Sequence, residues 1–117
     1  VLKPAEMRQS GYHQPLPESR TSHAASGHDR EGKLINGKWH VYPEMAAAGL
    51  WTTPGDLCRW ALEIQRAYDG KSRKLLSQAM ARQMLTRQTG DFGLGPALLS
   101  SGEWLRLGHG LPTAGFK

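Results

Sequence analysis

The chain has 117 residues, with 15 Lys and Arg against 10 Asp and Glu and a formal charge of +5. That length fits one domain, which can bury roughly two-thirds of its unfolded surface if every layer of a core is present. The longest basic cluster, Lys71-Ser72-Arg73-Lys74, is too short and too poor in aromatic residues for a nucleic-acid face. The longest apolar run, Met45 to Trp51, falls far short of the roughly 20 residues of a bilayer span.

From residue 1 to about residue 41 the sequence is polar and loop-rich, with Pro4, Pro15 and Pro17, several Ser and His, and few periodic apolar positions. It opens on "VLKPAEM", which has no signal-peptide pattern, so a soluble chain without an export signal is expected. Within this stretch "GKLINGKWHVY" places Asn36-Gly37 between short apolar runs, which predicts a small surface hairpin. Composition shifts near Tyr42. Ala46, Ala47, Ala48 and Gly49 then put tiny side chains in a row, so that either packing or a ligand can approach the backbone closely.

Thr53, Pro54 and Asp56 fit the N-cap, N1 and N3 positions of a helix, whose free N–H groups need acceptors and tolerate negative charge. Leu57, Trp60, Ala61, Ile64 and Tyr68 recur at helical spacing, while Arg59, Glu63 and Arg66 fall off that stripe, which predicts the apolar set as the buried face. Gly70 ends the helix. Cys58, the one cysteine, excludes an internal disulfide and reads as a small buried or half-buried thiol rather than a nucleophile. A second helix follows, with Ser77 as cap, Met80, Ala81, Met84 and Leu85 as its apolar stripe, and Leu76 stapled onto Ala81. "DFGLGPALL" and "EWLRLGHG", separated by Ser100-Ser101-Gly102, read as two neighbouring antiparallel strands, with Pro96 marking a break or an edge in the first.

Four stretches in this order, "AAAGLWTTPGDLCRW" (Ala46 to Trp60), "LLSQAMARQML" (Leu75 to Leu85), "FGLG" (Phe92 to Gly95) and "GHGLPTAGF" (Gly108 to Phe116), carry a family resemblance. The sequence resembles the C-terminal part of the serine beta-lactamase-like superfamily, the group of class C beta-lactamases, D,D-peptidases and family VIII esterases. The resemblance covers residues 42–117 well and residues 1–41 only as a variable, insertion-like stretch. It implies an α+β fold: part of a beta-lactamase-like domain, with two or more helices packed with an incomplete antiparallel sheet. In that family the small-residue run lies along the substrate cleft, and the capped helix packs behind it.

The family's chemistry uses three separated motifs. A Ser-x-x-Lys on a helix sets hydroxyl and amine one turn apart, so that the serine can be activated. A Tyr-x-Asn supplies a second proton-transfer group. A Lys-Thr-Gly or His-x-Gly on a strand adds polarity and brings backbone close to the acyl group. No serine of this sequence has lysine three residues on, and the tyrosines give Tyr12-His-Gln, Tyr42-Pro-Glu and Tyr68-Asp-Gly. Only the third motif is recognisable, as His109-Gly110-Leu111. In register with it, His109 takes the cationic or polar place and Leu111 stands where glycine is expected. Pro112 falls where a backbone N–H of the oxyanion hole is usually donated, and proline has none.

The resemblance therefore implies His109 as the catalytic-site residue, with Ala48, Gly49, Gly110, Leu111 and Pro112 lining the substrate position. It also implies an internal piece of a larger fold, acting on a small ester, amide or peptidoglycan-like substrate. No cofactor or metal is expected, and the parent would be periplasmic or extracellular. Open sheet edges would favour self-association. Ala48 aligns with a position where class C beta-lactamases carry a pocket-lining aromatic, which favours an esterase or peptidase. Without the resemblance, His109 between glycines reads as a simple loop histidine. Tyr42 and Glu44 read equally as a pocket edge or as surface. His13, His23, His28 and His40 are too irregularly spaced for a metal site. A non-catalytic binding or self-associating module of the same fold is the alternative to the enzyme.

Overall fold

In the computed structural model the described residues are 1–101, 104–108 and 110. Their elements run in the order β1 (Gly11–Tyr12), a 3-10 turn (Glu18–His23), α1 (Met45–Ala48), β2 (Leu50–Trp51), α2 (Pro54–Tyr68), α3 (Gln78–Met84), β3 (Ala97–Ser101) and β4 (Trp104–Gly108). Helices accompany two small antiparallel sheets, β1 with β2 and β3 with β4, an α+β fold. The chain divides into two compact units. One comprises residues 1–9 and 53–110, the other residues 10–52, so each draws on both sides of the compositional step near Tyr42.

The first unit is organised by α2. Its N-cap Thr53 accepts the Asp56 N–H on its side-chain oxygen at 3.2 Å, with Pro54 in the first turn, a cap that contributes about 1 kcal/mol. The helix ends in a Schellman motif. The Lys71 N–H reaches the Arg66 carbonyl at 2.8 Å, the Gly70 N–H reaches the Ala67 carbonyl at 3.0 Å, and Gly70 sits at φ +77°.

The face that α2 buries differs from the expected stripe. Asp56, Glu63, Ile64 and Ala67 are buried and Trp60 is half-buried, whereas Leu57, Ala61 and Tyr68 are exposed. The buried set still recurs at helical spacing, but it is rotated toward the acids because each acid has a partner. Asp56 accepts the Gln9 backbone N–H at 2.8 Å and the Arg59 guanidinium at 2.6 Å. Glu63 accepts the Ser72 hydroxyl. Cys58 is exposed too, which corrects the expectation of a covered thiol.

α2 packs against α3, where Ala67 and Ala81 are both fully buried; two methyl-sized side chains let the helix axes approach closely. Ser77 caps α3 by accepting the Met80 N–H at 3.2 Å. Of the predicted stripe, Ala81 is buried and Met84 and Leu85 are half-buried, while Met80 is exposed. The first nine residues coil into a turn that buries Ala5 and Met7. From α3 the chain turns through Phe92 to Pro96 into β3. The Leu94 N–H reaches the Met84 carbonyl at 3.0 Å, and a Cβ on Gly93 would overlap that same carbonyl oxygen. Pro96 breaks the strand as predicted, and the ladder starts at Ala97, with register Ala97↔Gly108 through Ser101↔Trp104. Leu98 is buried at 1% exposure and completes this unit's core.

The second unit holds the other sheet. β1 and β2 align Gly11↔Trp51 and Tyr12↔Leu50. The Trp51 indole N–H donates to the His13 carbonyl at 3.2 Å, and its ring meets Trp39 edge-on at 5.1 Å. The Asn36-Gly37 turn forms, with the Lys38 N–H on the Ile35 carbonyl at 2.8 Å, yet its two arms do not pair with each other. The antiparallel bridge is His28↔Leu34, closed by the turn before it. There the Asp29 carboxylate accepts the Glu31 and Lys33 N–H groups at 2.9 Å each. A side chain that mimics a backbone turn outcompetes the Asn-Gly signal for the hairpin position.

Candidate functional site

The small-residue run becomes α1, a single turn over Met45–Ala48 with Gly49 as its C-cap. Ala46 and Ala47 are exposed, Ala48 is half-buried and Gly49 is buried. The Ala48 N–H bonds the Glu44 carbonyl at 2.9 Å and the Gly49 N–H bonds the Met45 carbonyl at 2.8 Å. A Cβ on Gly49 would stand 2.7 Å from the Met45 carbonyl oxygen and 2.8 Å from the Met45 Cα. Backbone from one turn earlier thus occupies the space beside Gly49, at an ordinary φ of −98°. The α1 backbone itself fills the space on the Cβ side of the glycine.

β2 follows at once, so Ala48 and Gly49 lead directly into the strand that pairs with β1. The Ser10 and Thr52 hydroxyls, each next to one of these strands in sequence, share a hydrogen bond at 2.7 Å. Tyr42 is half-buried with its ring edge-on to His40 at 6.3 Å, and Glu44 is exposed.

The third-motif residues fall differently. Gly110 is exposed, with nothing within 4 Å of where a Cβ would stand, and it belongs to the unit that holds α2 and α3. His109, Leu111 and Pro112 lie outside the described residues. Ala48 and Gly49 are neighbours in one unit and Gly110 is in the other.

Other polar groups of the described chain have structural employment. Ser72 donates to buried Glu63 and Ser77 caps α3. "FGLG" holds no phosphate loop, and its glycines serve the backbone: Gly93 admits the Met84 carbonyl and Gly95 sits at φ +107°. Among the described residues no three His, Cys, Asp or Glu side chains converge as a metal site requires, and no helix is long and apolar enough to cross a membrane. What the sequence reading missed is Asp56 as a tether. Its place at N3 of a capped helix was legible, but its bond to Gln9, 47 residues away, has no local signal.

The family model described as Beta-lactamase matches residues 1–115. The chain belongs to the beta-lactamase family. The match begins at the first residue and so takes in the polar leading stretch, whose residues 1–9 pack in the same unit as α2. Membership assigns a beta-lactamase-like, serine-hydrolase-like fold to this α+β chain. No curated protein matches the chain significantly.

Proposed function

We propose that this chain is the C-terminal piece of a serine hydrolase that cleaves an ester or an amide. In this reading it supplies one wall of the cleft and the third motif, while the nucleophile sits on sequence outside these residues. The observation that carries the reading is the family match over residues 1–115 in a sequence with no Ser-x-x-Lys and no Tyr-x-Asn. In the family's terms Ala48 belongs to the substrate side of the cleft, and His109-Gly110 hold the sequence positions of the third motif. The substrate is a small ester, amide or peptidoglycan-like molecule, with esterase or peptidase favoured by the small side chain at Ala48.

Pro112 has a chemical consequence within this reading. Loss of one oxyanion donor costs on the order of 3 kcal/mol of transition-state stabilisation. The parent is therefore a slow hydrolase unless another N–H, such as that of Thr113, fills the position. The test is fluorophosphonate labelling of the full-length polypeptide alongside this chain. Labelling of a serine in an upstream Ser-x-x-Lys, with none on this chain, supports the reading. Labelling of a serine within the present sequence overturns it. A full-length polypeptide with no Ser-x-x-Lys that resists the probe fits the second reading instead, a non-catalytic binding or self-associating module, which the missing motifs equally suit.

A further inference from the structure

We propose that Asn36-Gly37 is a site of spontaneous deamidation, at which the folded protein acquires an aspartyl or isoaspartyl residue. Asn36 is the sequence's only asparagine, and glycine follows it. Both residues are exposed at the tip of the Ile35 to Lys38 turn. Gly37 sits at φ +77° with nothing within 4 Å of where a Cβ would stand. Neither the Asn36 carboxamide nor the Gly37 N–H is engaged in a hydrogen bond among the described residues.

The chemistry needs only water. The Gly37 backbone nitrogen attacks the Asn36 side-chain carbonyl carbon, and a new C–N bond closes a five-membered imide. The amide C–N bond of the side chain breaks, and its nitrogen leaves as ammonia with the proton that Gly37 gives up. Water then adds to either imide carbonyl and reopens the ring, giving Asp or isoaspartate with one new negative charge. Glycine at the second position removes the side chain that would block the attack, and asparagine is a thermolabile residue for this reason. The turn is held by the Lys38 N–H on the Ile35 carbonyl at 2.8 Å and the Gly27 N–H on the Lys38 carbonyl at 2.6 Å. The extra backbone methylene of isoaspartate lengthens the loop that both bonds close.

The fold contains its own control. Asp69-Gly70 is the sequence's other Asn-or-Asp-before-glycine pair, and it is open to the same five-membered ring closure. There the Gly70 N–H is donated to the Ala67 carbonyl at 3.0 Å inside the α2 terminus, and the Asp69 carboxylate is paired with Lys71 at 3.0 Å. The attacking nitrogen is occupied, so the folded chain suppresses the reaction at Asp69 while permitting it at Asn36.

The protein is incubated under native, mildly alkaline conditions. Trypsin then releases Leu34–Lys38 and Ala67–Lys71, and the aspartyl and isoaspartyl forms of each are separated and compared with synthetic peptides of the same sequences. The expected result is that Leu34–Lys38 converts in the folded protein within a few-fold of its free-peptide rate, while Ala67–Lys71 falls at least an order of magnitude below its own. The Asn36→Gln variant abolishes the first signal and leaves the second unchanged. Protection of Asn36 by an order of magnitude or more in the folded protein overturns the proposal, as does equal protection at the two sites.

Discussion

Replacing Asp56 by alanine removes the group that ties the first nine residues to α2. The carboxylate is fully buried, with one oxygen on the Gln9 N–H at 2.8 Å and the other on Arg59 at 2.6 Å. Leaving the part-buried Gln9 N–H without an acceptor costs about 1–3 kcal/mol, since water replaces the lost partner poorly there. The Arg59 side chain keeps 56% of its surface in solvent, so its pairing is screened and contributes under about 1 kcal/mol. The sum for Asp56→Ala is about 1–4 kcal/mol, dominated by the tether.

Asp56→Asn separates the two contributions. The amide oxygen still accepts from Gln9 while the charge facing Arg59 and the helix N-terminus is lost, so the expected cost is about 1 kcal/mol. Urea unfolding with an unchanged m-value reads both numbers, and amide exchange at Gln9 reads the tether directly. If Asp56→Ala unfolds within about 0.5 kcal/mol of wild type, or if the Gln9 amide exchanges freely in the native protein, the tether is not a determinant of this unit. If Asn and Ala cost the same, charge outweighs the hydrogen bond to Gln9 and the partition above is wrong.

Gly93→Ala is expected to destabilise by about 1–3 kcal/mol, because its methyl group would overlap the Met84 carbonyl that also accepts from Leu94; thermal unfolding checks it, and an unchanged Tm refutes it. Glu6→Gly is expected to stabilise by about 0.5–1 kcal/mol, since Glu6 occupies the left-handed position of a Schellman motif at φ +56° and glycine removes that strain at some cost in unfolded-state entropy. Its exposed pairing with Lys74 at 3.6 Å is too weak to reverse the sign in urea unfolding. The β3–β4 pair leaves open edges among the described residues, so light scattering on the isolated chain should show association that grows with concentration; a constant monomer mass would contradict it.

The features readable from sequence are those written in local chemistry. Thr53, Gly70 and Ser77 each set a helix end through a bond spanning a few residues, Pro54 fits the first turn of α2 by its fixed φ, and each is used as expected. Pro96 likewise sets where the β3 ladder begins, whereas Ser100 and Ser101, expected in the turn, are the last two residues of the strand and pair with Leu105 and Trp104. The burial of α2 was not legible in the same way. Its exposed Leu57 and Tyr68 and its buried Asp56 and Glu63 depend on Gln9 and Ser72, partners that periodicity along the helix does not contain. The hairpin near Asn36 was displaced for a related reason, since Asp29 supplies a competing turn whose strength lies in two side-chain bonds. At the candidate site the sequence located the small-residue run but not what fills the space beside it.

Gly49 decides between two meanings of that run. A glycine kept open for a substrate would tolerate a methyl group without loss of stability, and the added atom would be felt only when substrate arrives. The geometry predicts the opposite order of effects. The Cβ of Gly49→Ala would stand 2.7 Å and 2.8 Å from Met45 backbone atoms, and backbone held by the Gly49 N–H to Met45 bond at 2.8 Å cannot yield as a side chain would. The α1 turn must therefore loosen, at a cost of about 1–3 kcal/mol, and β2 begins at the next residue. In the full-length protein the variant should unfold at lower urea whether or not substrate is present. The molecules that remain folded should show little change in KM. A variant as stable as wild type but with a raised KM would return Gly49 to the substrate and overturn the packing account.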